Sequence, residues 1–300
     1  MTTTMTEATM TTRRGDLGAV WCISDRRYLS QRMPQAMIDA LASRDVDLRL
    51  VVIDDETVRV QGGVLESPLE EMAPGDVVVS RSRHPFALTL LHRVGRLGCD
   101  VITPSLAVDT VRDKARGAGI LAECGVPTPE TLVAPDVRSF AGLDPSWFPL
   151  VLKPHLGDNA RGVTVVASAA DLDGLEWRDG LVLAQRWIDT GGWDVKVYVC
   201  GDTVWAVRRP SPLTAPRQDD VALPVAVTPE LRVIAHACRD AFGLPLCGID
   251  VVDSGAGPRV VDVNDFPNYT GVAEAPEAVA DLLEARLRLA APAARLATVR

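Results

Sequence analysis

Gly248 to Tyr269, GIDVVDSGAGPRVVDVNDFPNY, contains two carboxylates and an amide at a spacing that could hold a hard cation. Two apolar runs, Gly248–Val252 and Arg259–Val263, flank Ser254-Gly255-Ala256-Gly257-Pro258, whose composition favours a tight reversal, so the stretch predicts an antiparallel β-hairpin. Asp250 sits in the first strand; Asp262 and Asn264, two residues apart in the second, project from one face. An ionised carboxylate in an apolar strand is costly unless a cation or a hydrogen-bond network compensates it. Three oxygen ligands without His or Cys suit Mg²⁺ or Mn²⁺ held together with phosphates. The plainer reading is that alternation merely exposes these acids on a solvated strand face.

Further polar residues fall at strand ends. Lys153 closes the apolar run Leu150–Lys153, and the loop His155-Leu156-Gly157-Asp158-Asn159-Ala160-Arg161-Gly162 follows. A glycine-bearing loop beside a lysine can fold over polyphosphate and present backbone N–H groups, although Gly and Asn also serve ordinary hairpins. Asp194 and Lys196 share one face of a strand Asp194–Cys200, and Arg208 and Arg209 end the returning strand Thr203–Arg208. Cations clustered beside a metal suit a site that handles phosphate charge.

The elements that must position these groups follow a βα order at the start of the chain. Strands at Gly18–Ile23, Leu48–Ile53, Asp76–Ser80 and Asp100–Thr103 alternate with helices at about Met33–Ser43 and Phe86–Leu97, which predicts a parallel sheet with ligands beyond its carboxyl ends. Arg26, Arg27, Arg81 and Arg83 lie at such ends, placed either to meet an anionic substrate or to serve as solvated surface arginines. A helix Val111–Cys124, containing Asp113-Lys114, ends in Gly125 and Pro127. Strands Val163–Ala167 and Leu181–Trp187 follow, then a mobile loop Ser211–Val225, a helix Pro229–Phe242 capped by Thr228, and a last helix Pro276–Ala290. The expected fold class is α/β (α+β): a flexible tail 1–14, an N-terminal α/β substrate domain 15–108, and two α+β subdomains, 109–185 with a lid loop and 186–300 with the metal site.

Composition bounds the partners. At 300 residues, 47% hydrophobic, the chain can bury one or two cores. A net charge of −9 argues against nucleic acid as the main partner. No apolar run reaches the roughly 20 residues needed to span a bilayer, and no signal core precedes Arg14, so no membrane partner is expected and the expected location is cytoplasmic. The six cysteines lack metal spacing and are expected to be reduced core thiols.

From about Thr103 to Glu274 the chain resembles an ATP-grasp enzyme. The matching pieces occur in family order: RDKARGAGILAECGVPTPET, PLVLKPHLGDNARGVTVV, LVLAQRWID, WDVKVYVCGDTVWAVRR, then FGLPLCGIDVV with VVDVNDFPNY. The resemblance implies ATP and two Mg²⁺ or Mn²⁺ ions as cofactors. Lys114 and Lys153 would hold the phosphates, Gly157 and Gly162 would lie in the closing loop, and Gln185, Arg186, Trp187 and Ile188 would form the hinge beside adenine. Asp194 and Arg217 match further nucleotide contacts, Lys196 and Arg209 the catalytic cations, and Asp250, Asp262 and Asn264 the metal ligands. Two departures stand out: RimK-like and glutathione synthetase-like ligases usually carry Glu where this chain has Asp262, and their Arg-x-Asn and glycine-rich segment is not reproduced in Pro210–Leu223. The run KVYV–G–VRR and the ending DVNDFPNYTGV are similar to ATP-grasp inositol trisphosphate kinases.

Two activities share this machinery. In a carboxylate–amine ligase, ATP phosphorylates a carboxylate and a nitrogen attacks the acyl phosphate; the substrates would be small amino-acid-like or peptide molecules, joined to one another or closed into a ring. In a kinase the γ-phosphate passes to a polyol such as an inositol phosphate. A polyphosphate substrate should demand more basic residues than this acidic chain shows around its N-terminal strands, which favours the ligase. A purely regulatory ATP-binding module fits poorly with a complete metal triad, and a homodimer is one arrangement open to the chain.

Overall fold

A computed structural model describes residues 18–297 except 62–63, 67–68, 158–159, 215–220 and 254. The chain divides into two units, Met1–Ser105 with Pro276–Arg300, and Leu106–Ala275.

The first unit runs β1 (Val20–Ser24), α1 (Arg26–Leu29), α2 (Arg32–Ala42), β2 (Leu48–Val52), a hairpin of β3 (Arg59–Gln61) and β4 (Val64–Glu66), β5 (Val77–Arg81), α3 (Pro85–Arg96) and β6 (Asp100–Val101). The parallel sheet expected from the alternation is present, in the order β2-β1-β5-β6. β1 and β5 are buried along their length, as continuous apolar runs in a parallel sheet should be. The core joins Trp21, Ile23, Val51 and Val78 to Leu90, Leu91 and Val94 of α3. Asp76 opens β5 as a buried carboxylate and is satisfied by three donors: the amides of Ala19 at 2.8 Å and Ala73 at 3.0 Å, and Trp21 Nε1 at 3.0 Å.

The second unit begins with α4 (Ser105–Arg112) and α5 (Lys114–Glu123), then β7 (Thr131–Ala134), β8 (Leu150–Pro154), β9 (Thr164–Val166), β10 (Val182–Arg186), β11 (Trp193–Cys200), β12 (Thr203–Pro210), β13 (Leu223–Val225), α6 (Pro229–Phe242), β14 (Leu246–Val252) and β15 (Arg259–Asp265). The last helix, α7 (Ala275–Ala297), belongs from Pro276 onward to the first unit. Two antiparallel sheets result, β7-β10-β8-β9 and β13-β12-β11-β14-β15. Alternate residues of the first sheet, Leu150, Leu152, Val182 and Ala184, pack on Val137, Phe140 and Leu172. The second buries Val197, Val199, Ile249 and Val251 beneath Leu231, Ile234 and Cys238 of α6. Thr228 caps α6 through the amide of Leu231 at 3.2 Å, Pro229 takes the first position, and Gly243 ends the helix at φ 62°.

The structure departs from the sequence expectation in two elements. Helix Val111–Cys124 is not continuous: Asp113 adopts φ −83°, ψ 98°, and its carboxylate accepts from the amides of Ala115 and Arg116, both at 3.1 Å. A side chain that caps its own downstream amides competes with helix continuation, so α5 starts at Lys114. The expected mobile loop Ser211–Val225 likewise contains a strand, since Leu223–Val225 pairs with β12, while 215–220 lie outside the described residues. So does the expected tail 1–14. Of the cysteines, Cys22, Cys99, Cys200, Cys238 and Cys247 are buried and Cys124 is exposed; all are free thiols. Burial pushes the Cys22 thiol up to about 12. No described helix is long and apolar enough to cross a membrane.

Candidate functional site

Four strands of the second unit bring their charged residues to one sheet face. Across the ladder, Arg209 stands opposite Asp194, Lys196 opposite Asp250, and Asp250 opposite Asp262. Asp250 is the most contested acceptor: Lys196 Nζ donates to its Oδ2 at 2.7 Å, Arg209 Nη2 to its Oδ1 at 2.5 Å, and Asn264 Nδ2 to its Oδ2 at 3.1 Å. Burial alone would raise this carboxyl, yet Lys196 and Arg209 hold it below its ordinary range. Lys196 is pushed down by burial and partly restored by Asp250. Asp194 is raised, first by burial, with Asp250 adding to it.

Lys114, the first residue of α5, donates to both oxygens of Asp262, at 2.7 and 2.8 Å. Its own amide donates to the carbonyl of His155 at 2.8 Å, and Asp113 forms a β-bridge with Leu156. The break at Asp113 therefore pins the lysine between the glycine-bearing loop and the carboxylate hairpin. Lys153, on β8, donates to Gln185 Oε1 at 2.5 Å and to the carbonyl of Val261 at 3.1 Å. That carbonyl is available because of a bulge: Asp250 pairs with Asp262 but Val251 pairs with Val260, leaving Val261 as the extra residue. Burial lowers the Lys153 ammonium to about 8, an effect that Asp262 partly opposes. Lys114, Lys153, Gln185 and Asp262 line one cavity, which Leu183 and Phe242 help to wall.

The remaining expected residues are placed as follows. Gln185 turns its side chain to Lys153, and its Nε2 donates to Thr131 Oγ1 at 3.0 Å, so it holds the lysine. Arg186 stacks 5.2 Å over the Trp147 ring and donates from Nη2 to the carbonyl of Ser146 at 2.5 Å. Trp187 and Ile188 follow β10 half-buried, and the Trp187 amide donates to Pro149 at 3.0 Å. Gly157 and Gly162 both pack on Pro154, with Gly162 at φ 72°. Arg208 turns to the other face, 4.6 Å over the Trp193 ring. Arg217 lies outside the described residues.

Two contributors were not found from sequence. A Cβ on Gly248 would sit 2.9 Å from Pro267 Cβ and 3.0 Å from Lys196 Cε, so the glycine leaves room for the Lys196 stem beside β14, where its amine meets Asp250. Its signal was a glycine inside an apolar strand. Gln185 as a lysine holder left no signal of its own, because it depends on the pairing of β10 with β8.

The residues fit a divalent cation with polyphosphate. Lys114, Lys153, Lys196 and Arg209 face Asp194, Asp250 and Asp262, a small excess of positive charge that a polyphosphate would exceed. Among the described residues no group of three or more His, Cys, Asp or Glu could hold a metal ion unaided. An ion on Asp250, Asp262 and Asn264 would complete its shell with phosphate oxygens and water, as Mg²⁺ does.

Two antiparallel sheets that share a cavity, one supplying Lys153 and the other Asp262, have the arrangement of an ATP-grasp fold. The match to solved structures agrees: the ATP-grasp ligase PsnB, complexed with a minimal precursor, Mg and ADP, superposes with a TM-score of 0.70 at 18% identity over 93% of this chain and 100% of that one. The macrocyclase MdnC from Microcystis aeruginosa, bound to its precursor peptide MdnA, gives 0.68 at 14% identity over 89% and 99%. Residues 111–282 match the RimK-like ATP-grasp domain, more than half of the chain, and the chain belongs to that family. A tetrahydromethanopterin:alpha-L-glutamate ligase of Methanococcus maripaludis is 28% identical over 59% of this chain. The match spans 65% of that relative's length.

Proposed function

We propose that the protein is an ATP-dependent carboxylate–amine ligase that works through an acyl phosphate on a small amino-acid-like or peptide substrate. The paired clamp on the hairpin, Lys196 and Arg209 on Asp250 and Lys114 on Asp262 with Lys153 behind them, supports ATP chemistry of either kind. The observation that carries the ligase reading is membership of the RimK-like family, and the alpha-L-glutamate ligase name of the relative points the same way. ATP with two Mg²⁺ ions would supply phosphoryl transfer, and Asp250, Asp262 and Asn264 would hold the metal. Lys114 and Lys153 would neutralise phosphate charge. Arg209 would stabilise the oxyanion formed as nitrogen attacks, a role worth on the order of 3 kcal/mol. Nothing here requires a side-chain nucleophile.

Ring closure within one molecule uses the same steps when a substrate carries both groups. The likeness in fold to a macrocyclase bound to a peptide makes peptides the first substrates to try for both modes. The deciding experiment is ADP release against a panel of amino acids and peptides with hydroxylamine present. A ligase gives carboxylate-dependent ADP and a hydroxamate. A product heavier by one phosphoryl group, without hydroxamate, would instead establish a kinase acting on a polyol.

A further inference from the structure

The carboxyl ends of β1 and β5, in the first unit, hold a cluster that none of the ATP chemistry uses. Ser24 pairs with Arg81 across the two strands, and the chain then turns through Asp25-Arg26-Arg27-Tyr28 on one side and Ser82-Arg83-His84 on the other. Both turns are locked. Ser24 Oγ donates to the carbonyl of Arg81 at 3.1 Å, Ser82 Oγ donates to Asp25 Oδ1 at 2.7 Å, and the His84 amide donates to Ser82 Oγ at 3.1 Å. Asp25, Arg81, Ser82 and Tyr28 are all buried.

Two guanidinium groups converge on one phenol ring. The Arg27 guanidinium carbon lies 4.6 Å from the Tyr28 ring centroid and that of Arg81 lies 4.7 Å from it. Stacking on a ring fixes a guanidinium by its face and leaves its edge N–H groups for other partners. Arg27 makes two long contacts, Nε to Asp25 Oδ2 at 3.4 Å and Nη2 to Tyr28 Oη at 3.3 Å, and its side chain is 66% exposed. The Asp25 carboxylate shares this place with the two guanidinium groups, and the exposed edge of Arg27 is the part of the cluster open to a further anion.

We propose that the first unit carries an oxyanion subsite, built on Arg27, Arg81 and Tyr28, that takes the carboxylate of an amino acid or peptide. Arg27 supplies the accessible fork, Arg81 the buried positive charge, and Asp25, fixed by Ser82, positions Arg27. A carboxylate matches better than phosphate. Asp25 lies within the cluster and Asp54 and Asp55 beside it, where Asp54 accepts from the Arg26 amide at 2.7 Å and Asp55 pairs with the Arg26 guanidinium; a dianion would meet their repulsion. The subsite does not depend on the ligase reading, because binding there needs neither nucleotide nor turnover.

The test is calorimetric titration of the full chain, without nucleotide, using glutamate, an N-acetylated glutamyl peptide and inorganic phosphate as probes. Carboxylate binding should weaken at least about tenfold in Arg27→Ala. It should stay within about twofold of wild type in Arg26→Ala, whose guanidinium is already paired with Asp55. The ATP dissociation constant should be the same in Arg27→Ala as in wild type, which also shows the variant to be folded. Absence of carboxylate binding to wild type, binding that survives Arg27→Ala, or Arg27-dependent binding of phosphate alone would each overturn the assignment.

Discussion

Asp250 and Asp262 face one another in register across β14 and β15, yet each carboxylate is taken by different cations: Lys196 and Arg209 hold the first, Lys114 the second. Without that division two adjacent carboxylates would repel. With it, each carboxylate faces its own cations. Replacing Asp262 by Asn removes one of the two charges that would anchor a divalent ion, and turnover should fall at least about a hundredfold with the fold intact by circular dichroism. Near-normal kcat with Mg²⁺ would take Asp262 out of the metal site.

Lys153 gives a pH signature. In the free protein burial holds it at about 8, so at pH 9 it is mostly neutral; phosphate beside it would favour the protonated form. Nucleotide binding above pH 8 should therefore take up a proton, and affinity should fall towards tenfold per pH unit as pH rises beyond that point. Calorimetry in two buffers of different ionisation enthalpy reads the uptake directly, and Lys153→Met should abolish it. Stability moves the other way: between pH 8 and the ordinary value of 10.5 the unfolded chain binds more protons, so this residue makes the fold more stable as pH rises.

Gln185 should act through Lys153. Removing its carbonyl in Gln185→Leu leaves the buried ammonium with the Val261 carbonyl, a loss on the order of 1–3 kcal/mol. We expect a higher KM for ATP with a smaller change in kcat. An unchanged KM would show that the contact does not set the lysine's position.

The carboxylate hairpin was legible in the sequence because alternation and a Gly-Pro turn are local signals, and Asp262 and Asn264 two apart must share a face. Helix α6 was legible for the same reason, with Thr228 and Pro229 marking its start. What could not be read was whatever depends on the register between strands. The Gln185–Lys153 contact and the approach of Lys196 to Gly248 require the register of β10 on β8 and of β11 on β14, and the bulge that frees Val261 is a shift inside the β14–β15 hairpin that its turn residues do not specify. The break before Lys114 was readable in principle, since Asp is a favoured N-cap, but the apolar periodicity of Val111, Leu121 and their neighbours runs through it and masked the stop.

Gly248→Ala tests the close approach. The added Cβ would meet Pro267 and the Lys196 stem at about 3 Å, and the lysine stem is the more flexible of the two. Overpacking of this kind costs on the order of 1–3 kcal/mol. The Tm should drop by several degrees and kcat should fall further than the change in stability explains, because Lys196 is displaced from Asp250. A Tm loss with kcat unchanged would make Gly248 a packing residue only.

Asp113 gives the last test, because it shapes the backbone without facing the nucleotide site. Its carboxylate satisfies two amides at the start of α5, and its bridge to Leu156, with the Lys114 amide on His155, fixes where Lys114 begins. Asp113→Ala removes the cap at a cost of about 1 kcal/mol. It also removes the competitor that stops α4 from running on into α5, and a continuous helix would turn Lys114 away from Asp262. We therefore expect a modest fall in Tm together with a rise in the KM for ATP of about tenfold or more, whereas Asp113→Asn or Asp113→Ser, which keep a capping acceptor, should restore most of both. Loss of Tm without any change in KM, or failure of the capping substitutions to rescue KM, would separate the helix break from the placement of Lys114.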